Sequence, residues 1–505
     1  MASEAAINAL VERLANISID NKVQALEELK TALGALRPSE LRNILPNISV
    51  ANVFNCLNTQ NKSQQTVCCE VLDRMMSTLS ASAALENFHA HFLTWIAVPD
   101  DSLKALCLHQ LSRISREVPN ELSQHEDLVL AVAGLLASDN LDVGLAAAAV
   151  LTQLGRDPSG LITLFAESVV RKIVVAMEKN DVTRFRVYQV AIDLSAISPQ
   201  ALEATVQSGL LKQLVNETQA DDILVQLNAI EMVSDLALSP HGLAFLDQEG
   251  VVGRLEEMMT HLSDNPLSGL LLPGLVKFFG GLAKNHPKEV LSRFDHFVRL
   301  VLNHVTEGDQ NLRTVSVETV GFIASTPEGK LALEKIGNPV TECIQNIGSL
   351  IQTGASDLKS KALQAMSHIV HLEPGDQTDE LLSLTERWFC TSMTDPFKTV
   401  WSIAQQPFTD IRIPAFHLLQ SLALTPWGQK LMNNAPGFKE YVLDRATENS
   451  KEGKDEKFEL VKMLAHSPTA IEILGRPYHV KLMEYYNQGR FFVLAQSEVA
   501  MEGDG

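Results

Sequence analysis

Two histidine pairs are the nearest this sequence comes to a metal site. His89-x-His91 sets two imidazoles two residues apart, and His368-x-x-His371 sets two at the three-residue step that shares a helix face. A zinc site needs three or four ligands, and no carboxylate or thiolate stands at a telling spacing from either pair, so no metal is expected. Cys56, Cys68, Cys69, Cys107, Cys343 and Cys390 show no CxxC spacing and read as reduced thiols on helices. Phe278-Phe279-Gly280-Gly281 has the glycines of a phosphate loop, but small residues where two helices cross are the better reading. GxxxxGK[ST], GxGxxG, GxSxG and HExxH are all absent. No catalytic residue and no cofactor is expected, and the chain does not read as an enzyme.

Binding chemistry is the better expectation. Arg184 and Arg186 flank Phe185, and arginine beside an aromatic ring suits an interface because the guanidinium both forks onto carboxylates and stacks. What must position such residues is a helical repeat. In the stretch 225–259, Leu227, Ile230, Val233, Leu236 and Ala237 recur at three- and four-residue steps, the mark of one buried helical face. Ser239, Pro240 and Gly242 then break the helix; a short one carries Leu243, Phe245 and Leu246; Gly250 caps it; and a third opens at Val251.

One such unit cannot bury its own apolar face, so the pattern must recur. The turn proline returns at Pro119, Pro158, Pro199, Pro240, Pro287, Pro327, Pro374, Pro426 and Pro468, with Gly160, Gly242, Gly329 and Gly428 two places after four of them. The steps of 39–52 residues lie close to the ~40–47 of HEAT and armadillo repeats. The expected fold is therefore all-α, an armadillo/HEAT-type solenoid of about ten or more repeats. Three regions are expected: 1–99, a helical cap with irregular repeats; 100–486, the repeat array; and 487–505, an acidic, partly disordered tail. Prolines 266 and 273 are expected to bend or interrupt helices, 373–414 to insert loop, and 448–457 to form a polar solvated loop.

In armadillo stacks the helix before the turn lines the binding surface. Aligned on residues 233–236, those helices present Arg113, Gln153, Ala196, Asp235, Gly281, Phe322, His368, Ser421 and Met463 as an outward ladder. Four places earlier stand His109, Ala149, Ile192, Glu231 and Lys277. Nuclear-import receptors of this architecture carry Asn on the ladder and Trp four places earlier, so recognition of a basic peptide by that route is not expected. A folded partner suits this mixed surface better. The candidate partner-binding residues are Arg113, Gln153, Arg184, Arg186, Asp235, Lys277 and Phe322.

Composition sets the partner class. With 41 basic against 61 acidic residues the net charge is −20, which opposes non-specific binding to nucleic acid or an anionic membrane and favours a protein partner. The N-terminal MASEAAINAL is acidic where a secretory signal is basic, and 143–155, among the longest uncharged apolar runs, falls short of the ~18–20 residues of a membrane span. A soluble protein of the cytoplasm, or also the nucleus, is expected, monomeric when free.

Beyond these rules, long idiosyncratic segments carry a resemblance: RFRVYQVAIDLSAISP (184–199), LLLPGLVKFFGGLA (270–283), QTDELLSLTERWF (377–389), PWGQKLMNNAPGFKEYVLDR (426–445) and GRPYHVKLMEYY (475–486). The chain resembles the 26S proteasome non-ATPase regulatory subunit 5 family over nearly its whole length, least in residues 1–99. The resemblance implies an assembly chaperone of the proteasome regulatory-particle base. Family members bind two ATPase subunits and the large non-ATPase scaffold subunit in an intermediate module and are absent from the finished particle. The related fungal chaperone grips an ATPase C-terminal domain through its concave helical surface. No family motif carries particular contact residues across. A generic armadillo adaptor for another intracellular complex has the same fold and stays open as the alternative.

Overall fold

The computed structural model describes residues 2–17, 21–45, 48, 50–57, 59, 61–262, 268–307 and 309–492. Among these residues it contains 33 α-helices and no strand, and no helix is long and apolar enough to cross a membrane. The end of the expected acidic tail, 493–505, lies outside the described residues, as does Pro266. Two compact units form, Met1–Leu246 and Asp247–Gly505.

In the first unit the long helices Asp101–Glu117, Leu141–Leu154, Asp181–Ser195 and Ile223–Leu236 pack each on the next. The second unit repeats the arrangement with Ser268–Asn285, Gln310–Ile323, Ser356–Val370, Thr409–Ala423 and Lys451–His466. Apolar spacing explains each layer: in Ile223–Leu236 it is Ala229, Ile230, Val233 and Leu236 that are buried. Side-chain caps set where the helices begin. Asp100 accepts from the Leu103 N–H (2.9 Å) and Asp222 from that of Leu224 (2.8 Å), satisfying donors that a helix start otherwise leaves open.

The recurrent Ser/Thr-Pro-x-Gly opens the short helix instead of merely breaking the long one. Proline occupies the first turn, where its missing N–H costs nothing. The residue before it is the cap: Ser239, Thr326 and Thr425 accept from the N–H of Gly242 (3.1 Å), Gly329 (3.0 Å) and Gly428 (3.2 Å). The glycine is there for space, because the short helix crosses the last carbonyl of the long one. A Cβ would sit 2.2 Å from Leu154 O at Gly160, 2.1 Å from Leu236 O at Gly242, 1.8 Å from Ile323 O at Gly329 and 2.1 Å from Leu422 O at Gly428. The glycine ahead of the third helix answers a different need: Gly250 is left-handed at φ 68°, a conformation costly for any residue with a Cβ.

Two expectations are corrected, at Pro273 and at 448–457, and the one for 373–414 holds at its loops. Pro273 lies inside Ser268–Asn285 without interrupting it, at the loss of the one backbone bond its missing N–H would make. The 373–414 stretch does insert loop, at 371–378 with one turn at Pro374–Asp376 and at 405–408, between the helices Asp379–Ser392, Pro396–Ala404 and Thr409–Ala423. The 448–457 run is not a solvated loop, because the helix Lys451–His466 starts within it, capped by Ser450 Oγ on the Gly453 N–H (3.0 Å). Glu448 is 2% exposed and Lys457 fully buried. Lys457 donates to the carbonyls of Tyr441 (2.5 Å) and Asp444 (2.5 Å), while Glu448 pairs with Arg412 (2.5 Å), so composition misled here.

Candidate partner-binding surface

The outward faces of the long helices form grooves where successive helices meet. In the second unit, Gly281, Phe322 and His368 from the ladder share one groove of about 380 Å³ with Lys277, Thr319 and Lys361. His368 also lines the next, with Ser421, Met463, His371 and His417. Glycine floors the first of these because the helices approach closely there. A Cβ at Gly280 would meet Thr319 Cγ2 at 2.9 Å, and one at Gly321 would meet the Ala365 Cα at 2.6 Å. Phe278-Phe279-Gly280-Gly281 is thus a helix crossing. In the first unit Gln153 lines a groove of about 550 Å³ with Ala149, Arg186 and Asp193.

Of the seven candidates, three arginines are already occupied within the chain. Arg186 is 7% exposed and donates through Nη1 to Leu136 O and to Ser138 O (3.3 Å), holding the end of Glu126–Leu135. Gly144 makes room for it, since a Cβ there would fall 2.2 Å from Nη1. Arg113 does the same for the end of Lys62–Met76, donating to Met76 O (3.1 Å) and Leu79 O (2.9 Å). Cationic donors suit helix C-termini, where the last carbonyls lack partners and the dipole is negative. Arg184 pairs with Asp181 (2.8 Å) and Glu217 (2.9 Å), and Glu217 also accepts from Tyr188 (2.7 Å). Gln153, half-buried, and Asp235, Lys277 and Phe322, exposed, remain on the outward face. The Asp235 carboxyl is pushed up by burial and by Glu231 and Asp193, so this part of the first unit is locally acidic.

Other groups were not legible in advance. Lys330, fully buried, donates to Ala324 O and His368 O (3.1 Å), joining the ends of two long helices, and burial pulls its ammonium down to about 7. Lys284 places its ammonium 4.0 Å from the Phe322 ring centroid, a cation–π contact between neighbouring helices. His89 and His91 do not act as a pair toward one point, whereas His368 and His371 line one groove. His91 stacks on Phe54 (centroids 4.8 Å), whereas His89 bonds Asp127 (3.0 Å) beside His125. The ligand atoms of His89, His125 and Asp127 all lie within 4.8 Å of one another, and the His89–Asp127 contact already uses one of them on each side. His89 is better described as joining Ala81–Ala97 to Glu126–Leu135.

Repeating three-helix units that cap one another's helix ends and leave grooved faces outward define a helical-repeat solenoid, a scaffold class. Among solved structures, a chain of the Kap95:Nup1 complex shares that fold, with a TM-score of 0.58 and 12% identity over 95% of this chain and 65% of that one. The family model described as proteasome non-ATPase 26S subunit matches residues 3–505, and the chain belongs to that family. The Homo sapiens 26S proteasome non-ATPase regulatory subunit 5 is 34% identical over 498 residues, 98% of each chain. The Drosophila melanogaster protein of the same name is 23% identical over 340 residues, 66% of this chain and 65% of that one. The role is accordingly proteasome-related.

Proposed function

We propose that the chain is an assembly chaperone of the proteasome regulatory-particle base. It binds C-terminal domains of base ATPase subunits, together with the large non-ATPase scaffold subunit, in an intermediate, and leaves before the particle is complete. The observation that carries this reading is the kinship with regulatory subunit 5 along 98% of the chain. The grooved faces of the long helices and the absence of a catalytic motif are in keeping with it.

The mechanism is steric timing. A clamp on an ATPase C-terminal domain keeps that subunit's tail off the proteolytic core until the ring is complete. Release then follows by competition, because a second partner for the same face displaces the first in proportion to its differential affinity. No nucleotide of the chain's own is required. The free protein acts as a monomer, in the cytoplasm or also the nucleus. Size-exclusion chromatography with mass determination, mixing the chain with each ATPase C-terminal domain separately, tests the reading. A stoichiometric complex with one or two of them is expected. Failure of all of them to bind, with the scaffold subunit also added, would favour a generic adaptor instead.

A further inference from the structure

The charge of this chain is unevenly placed. Against a net −20 for the whole, the stacked helices Ser268–Asn285, Gln310–Ile323 and Ser356–Val370 carry Lys277, Lys284, Arg313, Lys359 and Lys361 but only Glu318 and Asp357 as acids. The carboxylates bordering their grooves are already paired: Glu318 with Lys361 (2.6 Å), Glu373 with His371 (3.1 Å) and Glu456 with His417 (3.2 Å). Lys277 is exposed with no carboxylate partner among the described residues, and Lys284 meets only the Phe322 ring in the same sense. The field is felt within the groove. His368 is pulled below its ordinary value first by burial and then by the neighbouring His371, Lys330, Lys284 and His417.

We propose that this groove seats an acidic segment of a protein partner, in which carboxylates flank one aromatic or branched aliphatic side chain. The inference rests on the partner-binding reading given above and names the chemistry of what this face takes. Partner carboxylates would face Lys277 and Lys284, and the apolar side chain would lie against Phe322, which is 39% exposed, over the glycine floor of Gly280 and Gly281. A segment of a protein fits better than a nucleic acid. A phosphate chain running beyond the groove would meet the surplus acids of the chain, whereas a short segment feels only charges within the ~8 Å Debye length of physiological salt.

The test is fluorescence anisotropy with a labelled peptide alternating glutamate with phenylalanine and leucine, titrated with the full-length protein. Saturable binding that weakens as salt rises is expected, with no binding of the same peptide carrying lysine for glutamate. Lys277→Glu should weaken binding about tenfold, or about 1.4 kcal/mol, and Lys277→Glu with Lys284→Glu should admit the lysine peptide. Phe322→Ala should weaken binding at every salt concentration. Lys398→Glu, the same charge change on the exposed side of Pro396–Ala404, should leave it unchanged. Unaltered far-UV circular dichroism and melting establish that each variant is folded. Absence of saturable binding, equal binding of an RNA oligonucleotide, or indifference to Lys277→Glu would overturn the proposal. If ATPase domains bind and the acidic peptide does not, the groove assignment falls and the chaperone reading stands; if the peptide binds and no ATPase domain does, the reverse holds.

Discussion

Replacing Gly329 by alanine inverts a rule that usually favours alanine in helices. Within a helix the change ordinarily gains up to about 1 kcal/mol through lost unfolded-state freedom. At Gly329 the new Cβ would lie 1.8 Å from Ile323 O, 2.9 Å from the Ile323 carbonyl carbon and 2.9 Å from Thr326 Oγ1. The first two are backbone, so the short helix Pro327–Glu334 must move off the end of Gln310–Ile323 by more than an ångström. Overpacking of this kind costs about 1–3 kcal/mol. The shift also breaks the cap from Thr326 to the Gly329 N–H (3.0 Å), worth about 1 kcal/mol. Set against that gain, Gly329→Ala is expected to destabilise by about 1–4 kcal/mol. Gly253, exposed in Val251–His261 with nothing within 4 Å of a built Cβ, is the control and should gain up to about 1 kcal/mol. Urea unfolding followed by far-UV circular dichroism gives both values. A neutral or stabilising Gly329→Ala would refute the argument that crossing geometry selects this glycine.

Three further outcomes follow from buried charges and thiols. Arg412→Ala should cost about 3–5 kcal/mol, since it leaves the Glu448 carboxylate, 2% exposed, without its cation, and Arg412→Met with Glu448→Leu should recover most of the loss in urea unfolding. Burial pulls Lys330 down to about 7 and Lys457 to about 8, while both stay protonated to about 10.4 when unfolded. The unfolded chain thus holds more protons, so stability should rise from pH ~7 to ~8, below the ~8.5 at which unfolded thiols lose theirs, and Lys330→Met should flatten the rise in the urea midpoint. A disulfide-exchange reagent should modify Cys390 alone in the folded protein, and the buried Cys56, Cys68, Cys69, Cys107 and Cys343 only in denaturant; burial holds the Cys69 and Cys343 thiols up at about 12. Early modification of a second thiol would show that the core opens more readily than its packing implies.

The repeat was legible because helix periodicity and turn chemistry are local. Leu236, Pro240, Gly242, Gly250 and Val251 each report on their own few neighbours, and their spacing placed the helix ends. The meaning of Gly242 was not legible, because its reason is the Leu236 carbonyl across the turn. Long-range electrostatics were the main failure. The 448–457 run looked solvated, yet Glu448 and Lys457 find partners in Arg412, Tyr441 and Asp444, which local composition does not report. Arg113 and Arg186 looked like interface residues for the same reason: the carbonyls they serve belong to helices of a preceding repeat. Gly281, Phe322 and His368 were aligned by register alone, and they do line one groove, because equivalent positions of stacked helices share a face. The pairing of His89 with Asp127 had no sequence signal beyond the residue types.

The central claim is most directly tested by native mass spectrometry of a regulatory-particle base assembling from its subunits with this chain present. The account predicts intermediates whose masses include one copy of the chain with base ATPase and scaffold subunits, and a completed base without it. Retention of the chain in the completed base, or its absence from every intermediate, would contradict the account.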